Sequence, residues 1–148
     1  MTYDPPFAAL RREKRLRLRK RIMNSKNLTE FAKRYAEAWS SHDRDAVASF
    51  YSKNGSVSVN GAAPVPIAEV ARNFIRDFPD IVVTFDKLER RGDRTAFHWT
   101  LTGTYVETRN RVRISGYELW KIDNDGLIAE SKGHFDAADY EHQLKGEW

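Results

Sequence analysis

The chain of 148 residues contains no cysteine, which excludes a disulfide framework, a thiolate zinc site and a cysteine nucleophile. No apolar run approaches the ~20 residues that a membrane-spanning helix requires, and no secretory signal pattern opens the sequence. A soluble cytoplasmic protein is therefore the expectation. A Gly-rich phosphate loop, a Walker motif and a nucleophile elbow are also missing. Histidine is scarce, at 4 residues. His98 and His134 fall on one strand face without Asp or Glu at ligand spacing, so neither a metal nor another cofactor is expected.

What is present is a globular composition, with 41% hydrophobic and 12% aromatic residues, enough for one domain with a real core. The net charge of +4 is unevenly spread. Eight basic residues lie between Arg11 and Arg21, against the single acid Glu13. From Leu28 onward, 16 basic residues face 19 acidic ones, a net −3. The basicity belongs to an N-terminal extension, residues 1–27, rather than to the domain at 28–148. That run reads either as a contact for nucleic acid or an anionic surface, or as a solvated extension. A start of translation at Met23 would remove the whole run.

Leu28–Ser41 places Phe31, Tyr35, Ala38 and Trp39 on one helical face. Asp43 can cap a second helix reaching about Tyr51. Val57 and Val59 alternate in a short strand over Gly55–Gly61, and Pro66 opens a third helix that Pro79 stops. From Ile81 the period changes to two. Strands are predicted over Ile81–Leu88, Thr95–Val106, Val112–Ile122 and Leu127–Asp136, with turns at Arg91-Gly92-Asp93 and Asn124-Asp125-Gly126. A last helical turn covers Ala137–Leu144. Helices followed by an antiparallel meander give an α+β fold.

One residue breaks this pattern. Val112, Ile114, Gly116, Glu118, Trp120 and Ile122 form the apolar row of a strand, and Glu118 puts a carboxyl group in it. A charge there must hold its proton or find a partner, so Glu118 is either a satisfied core acid or the working part of a pocket. The opposite sheet face is polar but threaded with Tyr117, Leu119 and Ile128, a surface suited to a homodimer.

Several stretches carry a resemblance. They are Arg34-Tyr35-Ala36-Glu37-Ala38-Trp39 with Asp43, Phe78-Pro79-Asp80-Ile81, and Gly92-Asp93-Arg94 leading into His98–Thr104. Asp125-Gly126-Leu127-Ile128 and the ending from Phe135-Asp136 to Gln143-Leu144 complete the set. In this order they resemble the nuclear transport factor 2-like superfamily, in its SnoaL-like (polyketide cyclase) and ketosteroid isomerase branches. The resemblance implies a cone, in which a curved, mostly antiparallel sheet wraps a long N-terminal helix around an apolar cavity. Trp39, Val57, Val59, Phe74, Phe78, Trp99, Leu101, Trp120, Ser131 and Phe135 would then form its walls, widened at Gly103.

Ketosteroid isomerases stabilise an oxyanion with a tyrosine and a protonated aspartic acid. Tyr35 falls on the tyrosine position and Glu118 on the acid position, which implies two donors for a carbonyl or enolate oxygen. The general-base position maps to Val59 or Asn60, neither of which can take a proton from carbon. Asp136 is the remaining carboxylate that a bulge could aim at the cavity mouth. The expected function is isomerisation, cyclisation or dehydration of a hydrophobic carbonyl compound. The alternative is a non-catalytic ligand-binding or adaptor domain.

Overall fold

The computed structural model describes residues 27–147. The basic run at Arg11–Arg21 and the possible start at Met23 lie outside them. From Ala32 onward the chain forms one compact unit, which carries everything discussed below. In chain order the elements are α1 (Leu28–Ser40), α2 (Arg44–Ala48), β1 (Tyr51–Val59), β2 (Val65–Pro66), α3 (Ile67–Asp77), β3 (Val82–Arg91), β4 (Arg94–Thr104), β5 (Arg111–Ile122), β6 (Ile128–Phe135) and α4 (Ala137–Lys145).

The strands make one six-stranded sheet in the order β2-β1-β6-β5-β4-β3. Only β1 and β6 run parallel, because β1 enters from the helical half of the chain and the rest is a meander. Local chemistry fixes the joints. Asp43 caps α2 by accepting from the amides of Asp45 and Ala46. Gly92, with φ 63°, takes the left-handed conformation that the β3–β4 turn requires. Among the described residues no helix is long and apolar enough to cross a membrane.

The concave face holds the core. Tyr35 of α1 meets Phe97 and Trp120 edge-on, with both ring centroids 5.3 Å away. Phe97 in turn stacks on Trp120 at 4.8 Å and on Phe85 at 5.8 Å. Such aromatic contacts add stability beyond the area they bury. The α+β cone expected from the sequence is the fold observed.

Two elements differ from the sequence reading. The second helix stops at Ala48, and Tyr51 already pairs with Ile128 in the sheet. An irregularity between Tyr51 and Ser56 then shifts the register of β1. Ile128, expected on the outer face, is fully buried. The shift between Lys121 and Ile122 where β5 meets β6 turns it inward beside Tyr51.

Candidate functional site

Strand β5 grades from core to cavity along its inner face. Trp120 is sealed in the core, and Gly116 lies under the Trp99 indole, so closely that a Cβ there would meet Trp99 Cζ2 at 2.7 Å. Glu118 stands between them, at the boundary. On its core side, Oε1 accepts from Tyr35 Oη at 3.0 Å, Tyr51 Oη at 3.0 Å, Ser131 Oγ at 2.8 Å and Trp120 Nε1 at 3.3 Å. The two tyrosine hydroxyls are themselves 3.0 Å apart. No donor among the described residues reaches Oε2, and Glu118 is one of the residues that line the cavity.

Two effects compete at this carboxyl group. Burial raises its pKa, while the bonds from Ser131, Trp120, Tyr35 and Tyr51 lower it; burial wins and the net shift is upward. The same burial, reinforced by the nearby Glu118 charge, lifts both Tyr35 and Tyr51 well above the usual tyrosine value. Both tyrosines therefore stay protonated and act as donors. In the neutral acid the proton belongs on Oε2, because Oε1 already faces donors.

The cavity beside Glu118 encloses about 60 Å³, within about 540 Å³ of unfilled space that continues through its mouth. Its walls are Trp39 from α1, Val57 and Val59 from β1, Ile67, Val70 and Phe74 from α3, Val83 from β3, Trp99 and Leu101 from β4, and Gly133 and Phe135 from β6. Glu118 is the one ionisable side chain among them. Val59 pairs with Gly133, and Gly133 pairs with Glu118, so these three form a row across the sheet. Gly133 leaves the middle of the row bare, and a Cβ there would come no nearer to Glu118 than 4.0 Å.

The residues singled out from the sequence divide into three groups. Trp39, Val57, Val59, Phe74, Trp99, Leu101 and Phe135 line the cavity together with Glu118. Tyr35, Trp120 and Ser131 are fully buried and point their donors at Glu118, not at the cavity. Phe78 and Asp136 stand apart. Phe78 is buried against Gly103, filling the space that the missing side chain was expected to give the cavity. Asp136 caps α4 by accepting from the amide of Asp139 at 3.0 Å. Tyr51 was not foreseen, because the irregularity after it removes the period that would have marked its face.

A SnoaL-like domain matches residues 32–131. The chain belongs to the SnoaL-like family. No protein of curated function matches it in sequence. Solved structures share the fold at low identity. TsrD from Streptomyces laurentii is 19% identical, with 84% of this chain and 98% of that chain covered and a TM-score of 0.71. A protein with a ketosteroid isomerase-like fold from Catenulispora acidiphila DSM 44928 is 15% identical, covering 80% and 96%, with a TM-score of 0.70. IdmH from Streptomyces antibioticus, a candidate polyketide cyclase, is 18% identical, covering 79% and 97%, with a TM-score of 0.67. SnoaL-like membership agrees with a protein built around a small-molecule site.

Proposed function

We propose that this SnoaL-like chain binds a small hydrophobic carbonyl compound in the cavity, and that Glu118 is the group that exchanges a proton with it. The observation carrying the reading is the isolation of Glu118 as the single ionisable side chain of the lining. A raised carboxyl pKa suits such a group, since it keeps a proton available to a carbonyl oxygen in a dry site. Tyr35 contributes through Glu118, to which its hydroxyl is bonded. A lone carboxyl group can give a proton and take it back, which fits isomerisation, cyclisation or dehydration driven by the substrate's own reactivity. The fold shared with IdmH supports this class.

A second reading, a ligand-binding or adaptor domain without catalysis, is favoured by one fact. Val59, not a carboxylate, lines the wall where the isomerase base would stand. The outer sheet face, where Tyr117 lies between His98 at 5.7 Å and His134 at 5.0 Å, is our proposed homodimer surface, checked by sedimentation. The functional test is tryptophan fluorescence titration with cyclic enones and planar phenols, on the wild type, Tyr35→Phe and Glu118→Gln. Saturable quenching that weakens at least tenfold in Glu118→Gln supports the proton-exchange reading. Equal binding by all three proteins makes Glu118 scaffold and favours the second reading.

A further inference from the structure

Resting on that reading, we infer that Tyr51 is a positioning residue that holds the Glu118 carboxyl group in place through Oε1. The geometry is one-sided. Four donors from three strands and one helix converge on Oε1 at 2.8 to 3.3 Å, while no donor among the described residues reaches Oε2. A carboxyl group held in this way cannot rotate to exchange its two oxygens without breaking every bond at once. Its one transferable proton is thus fixed in direction as well as in place.

Tyr51 matters most among the four because it reaches Oε1 from two strands away. Its strand β1 adjoins β6, and its ring lies 6.1 Å from that of Tyr35. The pair therefore clamps Oε1 from α1 and β1, each hydroxyl giving its one proton to that oxygen. The titratable groups facing Glu118 are Tyr35 from α1 and Tyr51 from β1. The walls supplied by α3, β3, β4 and β6 add no ionisable side chain.

The experiment follows the Glu118 carboxyl carbon by NMR against pH in protein labelled with 13C-glutamate, assigned with Glu118→Gln. Wild type, Tyr51→Phe, Ser131→Ala and the core control Ile128→Val are compared, with and without cyclohex-2-enone. Losing a donor to a charged oxygen raises the titration midpoint by about one pH unit in Tyr51→Phe. Ser131→Ala moves it the same way through the same oxygen, whereas Ile128→Val lowers the melting temperature and leaves the midpoint in place. The enone, accepting from the Glu118 carboxyl proton, raises the wild-type midpoint. An unmoved midpoint in both Tyr51→Phe and Ser131→Ala overturns the clamp. Saturable enone binding that leaves the wild-type midpoint unchanged means that the carboxyl group Tyr51 holds does not meet the occupant, and overturns the positioning role. If the enone fails to bind while the variants shift as expected, the clamp stands and the carbonyl reading of the function falls.

Discussion

Replacing Glu118 by leucine tests the reading of its surroundings most directly. The substitution removes a costly buried carboxyl group, and by that measure alone it should be neutral or stabilising. The geometry predicts the opposite. Tyr35 and Ser131 are 0% exposed and Tyr51 5%, and all three donate to Oε1. In the leucine variant one tyrosine can donate to the other across their 3.0 Å contact, which still strands the Ser131 proton and one phenol proton. Each stranded buried donor costs about 1–3 kcal/mol. After allowing for relief of the buried acid, the variant should lose about 2–4 kcal/mol. Glutamine keeps an acceptor oxygen in place of Oε1 and should lose about 1 kcal/mol, the difference between a charged and a neutral acceptor. Urea denaturation at pH 7, read as a change in midpoint at constant m, measures both. A leucine variant within about 0.5 kcal/mol of wild type, the ordinary scatter of harmless substitutions, would show that the donors do not depend on Glu118.

Three further outcomes follow from other parts of the structure. Because the folded-state pKa of Glu118 is raised, its stabilising contribution is complete below the ordinary glutamate value of about 4.3 and is lost as pH rises through the folded value. The stability difference between wild type and Glu118→Gln should therefore fall with pH across that window, by at most about 1.4 kcal/mol per pH unit, and a flat difference in urea titrations refutes the shift. Gly133→Ala adds a methyl group with no contact closer than 3.7 Å, so stability should stay within about 1 kcal/mol while enone binding in the fluorescence titration weakens. Asp136→Ala should cost about 1 kcal/mol in urea through the lost cap, and the pH dependence of enone binding should not change.

How far the sequence could be read depended on periodicity. The row of β5 was plain because its residues alternate without interruption, and the acid in that row was visible as an exception. The apolar walls at Trp39, Trp99, Leu101 and Phe135 could be read for the same reason. Side-chain direction within the core could not. Trp120 and Ser131 share the face of Glu118, yet both end in the sealed core with their donors on Oε1. Parity gives the face of a sheet but not the depth along a cone. Tyr51 and Ile128 were hidden by register shifts, each of which changes the parity of the residues beyond it. Tyr35 lies beside Glu118, where the sequence puts it, and its hydroxyl bonds the acid itself.

The row Val59–Gly133–Glu118 suggests what separates this chain from a two-group isomerase. Adjacent strands lie about 4.8 Å apart, so the backbones at 59 and 118 are roughly 10 Å from one another across the bare Gly133. That gap admits a flat ring with one carboxyl group on either side. Val59→Asp would supply the second group and leave the first untouched. Burying another acid in the apolar wall should cost about 2–4 kcal/mol, and the two carboxyl groups should resist ionising together. Near neutral pH one would hold its proton and the other would accept one from the α-carbon of a bound ketone. The expected gain is exchange of α-protons of cyclohex-2-enone with deuterated water, followed by NMR, at least tenfold faster than with wild type. A folded Val59→Asp variant that binds the enone without faster exchange would mean that the row does not span the reacting atoms. In that event the native cavity, with Val59 opposite Glu118, is better understood as a place where the substrate's own reactivity does the work of the base.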